Sequence, residues 1–215
     1  FDLSFLPVDT ELVLVAQCSD LIRSSLVQTV TGGELAALDP LVEGFGLRFL
    51  EIESLRIGIR NLNDVPAPTR ESLSQGLRGL SLRDIALNPD LASTIVIQTR
   101  DRVDETPLRK NGDEIRVGDK RYFRLKSNTF QSACACIQGF RTLIISDEPT
   151  ILAIVESKGP PPKPHASFSF AREADLVIAV SPEDPGQMRR WLPPLDLLAP
   201  QTADEPNADT AEESD

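Results

Sequence analysis

Two thiols one residue apart, in Cys134-Ala135-Cys136, are the first group here whose type and spacing invite chemistry. Redox and zinc-binding pairs place two or more residues between their cysteines, and adjacent same-face thiols on an extended strand have poor geometry for a mutual bridge. Successive strand residues alternate in direction, so 134 and 136 share one face while Ala133, Ala135 and Ile137 take the other. Small residues on both faces predict a strand packed closely by a neighbouring element. The pair reads as buried and inert, with a bridge from Cys18, the remaining cysteine, as the alternative in an oxidising compartment. His165 is the only histidine and follows a run of prolines, which rules out a multi-histidine metal site and argues against a histidine-dependent triad.

The carboxylates are plentiful but not grouped for catalysis. Asp101, Asp104 and Glu105 lie among Arg100, Arg102 and Arg109, the pattern of a solvated loop whose charges screen one another. Asp113, Glu114 and Asp119 occupy positions that suit turns, and 101–114 lacks the alternation of a calcium loop. No GxGxxG, GxxxxGK[ST] or GxSxG segment is present. The sequence therefore designates no catalytic, cofactor-binding or metal-ligating residue. One cluster remains. Lys120, Arg121, Arg124 and Lys126 enclose Tyr122 and Phe123, and on a strand Tyr122, Arg124 and Lys126 share a face that could hold an acidic protein partner. The competing reading is a positively charged hairpin edge that discourages aggregation.

The elements that must position these groups show in the hydrophobic pattern. The continuous run Leu12-Val13-Leu14-Val15-Ala16 predicts a strand covered on both faces, followed by a helix capped at Ser19. Thr31 and Glu34 have capping-box spacing for a second helix, with Gly46 as its C-cap. Leu55, Ile57 and Ile59 alternate with Arg56, Gly58 and Arg60, predicting a strand with one wet face. Residues 61–91 read as a weak helix or irregular crossover, and 94–99 as a short β-branched strand. Asn111-Gly112 and Gly118-Asp119 are turn signals around strand residues 114–126, with the face of Tyr122 wet. Gln138-Gly139 divides 132–145 in the same way. Asp147 and Pro149 open a helix over 150–157, a polyproline spacer follows, and 175–180 forms a last strand before a short helix toward Trp191. An apolar strand leading to a serine and a helix recurs at 11, 141 and 175, as a structural repeat or as the ordinary grammar of strand-to-helix turns.

These segments predict an α+β fold: a mixed, largely antiparallel sheet with helices packed on it. One domain would span 1–200, with residues 175–180 in the main sheet because six residues cannot build a core alone. Residues 201–215 contain six acids and no base, which accounts for six of the eleven net negative charges. They lack aromatic and large aliphatic anchors, so they are expected to be a disordered acidic tail dispensable for folding. The rest of the chain is close to neutral, which offers nucleic acid no attraction. No apolar run approaches the roughly 20 residues of a membrane span, so no transmembrane segment is expected. The chain opens on Phe1 without a methionine, as expected of a processed or excised product.

The stretch Leu6-Pro7-Val8-Asp9-Thr10-Glu11-Leu12-Val13-Leu14-Val15, with Leu21-Ile22-Arg23-Ser24-Ser25-Leu26-Val27 after it, is similar to the opening of uncharacterised exported proteins of planctomycete-type bacteria. In those, a Pro-x-Asp segment precedes an apolar strand and a helix with a Ser-Pro-like step; residues 141–155 resemble their later strand and acidic helix start. The resemblance covers about a third of the chain and brings no functional residue; it implies an envelope or secreted location. The leading expectation is a non-enzymatic binding or scaffold module, exported. One rival is a hydrolase or small-ligand enzyme assembled from loop acids such as Asp101, Asp104 and Asp147. The other is a cytoplasmic adaptor whose acidic tail engages a basic partner.

Overall fold

Apolar residues on both sides of most strands dictate a sheet buried on both faces, and the computed structural model has that form. It describes residues 2–23, 42, 45–61, 92–126, 133–157, 159, 161–164, 168 and 176–181. The expected helix over 34–45, most of that after Ser19, the crossover at 61–91, His165, the helix toward Trp191 and the tail 201–215 fall largely or wholly outside these residues.

Eight strands form one sheet: β1 Leu12–Gln17, β2 Ile52–Arg60, β3 Ala92–Thr99, β4 Gly112–Val117, β5 Lys120–Leu125, β6 Ala133–Gln138, β7 Thr142–Asp147 and β8 Leu176–Val180. Their order is β4-β5-β6-β7-β3-β2-β1-β8. Every pairing is antiparallel, and β8 joins the main sheet beside β1. Among the described residues three helices accompany it: α1 Cys18–Leu21, α2 Thr106–Asn111 and α3 Glu148–Glu156, with a 3-10 turn at Phe49–Glu51. Among the described residues no helix is long and apolar enough to cross a membrane.

Alternation along the strands sorts the core into two layers. On the front, Leu55, Ile57, Ile95, Ile97, Leu143, Ile145 and Phe123 pack beneath Phe45, Leu47, Phe49 and Leu108. On the back, Val13, Val15, Val96, Ile144, Cys134 and Cys136 pack beneath Leu6 and Ile151, Ile154 and Val155 of α3. Full burial of each Val, Leu or Ile side chain contributes about 1.5–3 kcal/mol before the entropy of ordering is set against it.

The helices depart from the sequence expectations in instructive ways. Helix α1 begins at Cys18, one residue before the predicted cap, and its N-cap Gln17 makes no side-chain capping bond. Asn111-Gly112, expected to form a hairpin turn, instead ends α2, because Leu108 is fully buried against the front and draws 106–111 into a helical turn. Helix α3 starts as its sequence predicts: Asp147 Oδ1 accepts from the Thr150 N–H at 2.8 Å, with Pro149 in the first turn.

The alternating face of β2 is not wet. Arg56 is 4% exposed, since residues 2–10 run across the back of the sheet as a strap. Gly58 permits that close approach: a Cβ there would lie 3.1 Å from both Leu6 Cδ2 and Thr10 Cγ2. The strap is held by Phe5 N–H to Pro162 O at 2.8 Å and by Arg56 Nη1 to Asp2 O at 3.0 Å.

Gly46 is constrained more severely, since its φ is +72° and a Cβ would lie 2.1 Å from Pro107 Cγ on α2. Gly46→Ala combines a left-handed backbone, costing about 1–2 kcal/mol, with a steric overlap of about 1–3 kcal/mol. It should lower the unfolding free energy by at least about 2 kcal/mol in urea titration; a loss below the backbone cost alone would show that α2 moves aside freely.

Candidate functional site

The basic and aromatic residues of β5 were the sequence's candidate for a partner surface, and the structure divides them. Tyr122 is 2% exposed, its ring inside the back layer, because α3 packs on the face expected to be wet. Its hydroxyl donates to Glu148 Oε1 at 2.5 Å, and Arg124 Nη2 donates to the same oxygen at 2.5 Å. That hydrogen bond, with burial and the negative charge of Glu148, pushes the Tyr122 phenol up to about 12. Lys126 lies just past the strand and pairs with Asp113 of β4. Tyr122 and Arg124 thus anchor the first turn of α3, while Lys126 ties the hairpin.

The three thiols are free and buried. Cys134 and Cys136 face α3 on the back, whereas Cys18 belongs to the front layer. The sheet lies between them, so the alternative bridge to Cys18 is sterically closed. Burial pushes Cys18 and Cys136 up to about 12 and Cys134 up to about 11.

The scattered acids of the enzyme reading are not brought together. Asp104, just ahead of the α2 N-cap Glu105, accepts from the Thr106 N–H at 2.9 Å. Asp147 caps α3 and pairs with Arg60; burial opposes its charge, but bonds from Thr150 and Arg60 hold its carboxyl below the ordinary range. Asp101 follows the end of β3 where Gln98 pairs with Thr142, while Asp147 ends β7, on the order of 16 Å away along the strand. Among the described residues no three His, Cys, Asp or Glu side chains are grouped to hold a metal ion.

A groove that the sequence did not single out lies on the front, between the β4–β5 and β6–β7 turns. Its volume is about 630 Å³, with Val103, Phe123 and Ile137 among its lining. Arg102, Arg116, Lys120 and Arg121 supply four cations, against the two acids Glu105 and Asp119. Arg121 Nη2 donates to both Glu105 oxygens at 2.8 and 2.6 Å, a bond that lowers the Glu105 carboxyl. Phe140 stands at the rim 68% exposed, and the Arg102 guanidinium carbon lies 5.2 Å from its ring centre. This is within cation–π range. The sequence signal was an aromatic residue directly after the turn glycine Gly139. Its partner Arg102 lies too far along the chain for the pair to be seen.

Comparison with protein-family models, curated proteins and solved structures gives no match. The geometry alone carries the functional argument.

Two outcomes follow. Hydrogen bonds from Tyr122 and Arg124 hold the Glu148 carboxyl below its ordinary range. A depressed folded pKa contributes stability that is present above the unfolded value, about 4.3, and lost as pH falls through the folded value. Glu148→Gln should therefore lower the thermal midpoint at pH 7, and the gap to the parent should close as pH drops below about 4; a constant gap would place the effect outside the ion pair. The raised thiols should react slowly with a disulfide reagent at neutral pH in the native state, and all three should react promptly once unfolded. Rapid native labelling of Cys134 or Cys136 would make β6 a reactive site.

Proposed function

We propose that this chain is a non-enzymatic binding module of an exported protein, and that its front groove takes an acidic, extended segment of a partner. The observation that carries this reading is Phe140, 68% exposed on a rim where four cations outnumber two acids. A large aromatic ring left in water beside arginines matches the side-chain chemistry of binding hot spots. Arg102 against the ring limits its freedom before any partner arrives, which reduces the entropy lost on binding. The local charge is positive on a chain whose net charge is −11, so an acidic segment is directed to this end of the sheet. Among the described residues Asp147, Glu105 and Glu148 are each held by an arginine, which supports binding over catalysis. The exported setting rests on the resemblance of residues 6–27 to exported proteins.

The test is fluorescence anisotropy with a labelled peptide of alternating Glu and Leu. Binding should weaken about tenfold in Phe140→Ala, or about 1.4 kcal/mol. It should weaken further in Arg116→Glu and as salt rises, since exposed charges are screened within about 10 Å at 0.1 M. Phe140 and Arg116 are both exposed, so neither change threatens the fold. Equal affinity for the parent and both variants, or for a Lys-Leu peptide, would refute the reading.

A further inference from the structure

On the opposite face, at the same end of the sheet, a polar cleft of about 200 Å³ opens over β1, β2 and β3. Its lining follows from the strand register. Gln17 pairs with Ser54, and Ser54 with Gln98, so three neutral hydrogen-bonding side chains lie side by side across three strands. The next row on that face places Arg56 between Val15 and Val96. Asp2 of the strap and Glu53 border the cleft.

Arg56 is 4% exposed, yet its guanidinium is only partly satisfied. Nη1 donates to Asp2 O at 3.0 Å and reaches Asp2 Oδ2 at 3.4 Å, and Nη2 donates to Gln98 Oε1 at 3.2 Å. Its Nε has no acceptor. A guanidinium carries five N–H donors, so three contacts leave part of a buried cation unmet. The nearest counter-charge is loosely held: Asp2 is 62% exposed, and its Oδ1 already accepts from Ser4 N–H and Oγ. Burial pulls Arg56 below the ordinary arginine range, with Asp2 opposing the shift. Natural proteins seldom bury a charge without full pairing unless something else completes the set.

We propose that this cleft binds a small zwitterion of the α-amino acid class, its carboxylate on Arg56 and its ammonium on Glu53. The carboxylate would take the Nη2 N–H that Gln98 leaves over, with the Gln17, Ser54 and Gln98 row beside it. Glu53 Oε2 accepts from Arg141 at 2.6 Å, while Oε1 has no partner among the described residues and is left to accept from an ammonium. Asp2 and Glu53 are already paired to Lys163 and Arg141, so among the described residues Arg56 is the one cation at the cleft left partly unmet, and it suits a single carboxylate over a dianion such as phosphate. The volume matches about seven waters at roughly 30 Å³ each, enough for an amino acid with a short side chain. The site is independent of the front groove, and neither requires the other.

The test is isothermal titration calorimetry on the full chain with glycine, L-serine, acetate, methylammonium and inorganic phosphate, each to about 10 mM, with affinities compared on the scale where tenfold is 1.4 kcal/mol. Glycine or L-serine should bind saturably, at least about tenfold more tightly than acetate or methylammonium, and phosphate should not bind. Glu53→Gln should weaken the amino acid about tenfold and leave acetate unchanged; the Glu53 side chain is 44% exposed, so the fold tolerates the change. Ser54→Leu, which fills the centre of the row, should abolish binding. Absence of saturable binding by either amino acid, acetate binding equal to serine, tighter binding of phosphate, or an unaltered Glu53→Gln would each overturn the proposal.

Discussion

The pairing of β3 with β7 is the contact on which the rest of the molecule depends. β1, β2 and β3 form one antiparallel run, β4 to β7 form another, and only this seam makes them a single sheet. Its register sets Ile95 against Ile145, Val96 against Ile144 and Ile97 against Leu143. A slip of one residue would exchange the faces of every one of these side chains. The Thr94 and Ser146 hydroxyls, 2.8 Å apart and buried, would then lose each other, leaving buried polar groups unsatisfied. At the far end, Thr99 N–H donates to Arg141 O at 2.8 Å and Arg141 Nε returns to Thr99 O at 2.7 Å. The seam is thus locked at both ends by polar contacts and filled between them by aliphatic ones.

The seam also places charge. Because β7 and β2 both flank β3, Asp147 at the end of β7 reaches across it to Arg60 of β2. Asp147 therefore serves two elements, capping α3 and neutralising an arginine that is only 16% exposed. Arg56, two pleats along, takes its carboxylate from the strap instead. Both arginines leave a buried Nε without an acceptor, and both draw on sheet and strap together: Arg60 on Asp147 and Asp9, Arg56 on Gln98 and Asp2.

Most strands were legible in the sequence because their apolar residues are local. Leu12 to Ala16, Ile57 with Ile59, and Leu143 to Ile145 announce themselves without knowledge of their neighbours. What was not legible came from distant segments. Arg56 and Tyr122 look like wet-face residues until the strap and α3 cover them, and neither covering segment is adjacent in sequence. Helix α2 was missed because Asn-Gly is a strong local turn signal, outweighed by the burial of Leu108. The candidate site fared worst. The expected Tyr122, Arg124 and Lys126 spend their polar groups on Glu148 and Asp113, while the groove joins Arg102 after β3, Arg116 of β4 and Phe140 of the β6–β7 turn. Alternation tells which side a residue takes, but not whether that side is already occupied.

The pairing of β1 with β8 sets a condition on synthesis. Leu12 faces Val180 and Ala16 faces Leu176, so one flank of β1 has no strand beside it until residues 176–180 have left the ribosome. At roughly 5–20 residues per second the wait is on the order of ten seconds. Throughout it, Leu-Val-Leu-Val-Ala presents an apolar, hydrogen-bonding flank, the kind of segment that recruits a second nascent chain. The sheet therefore closes its β1 flank last, with the C-terminal strand.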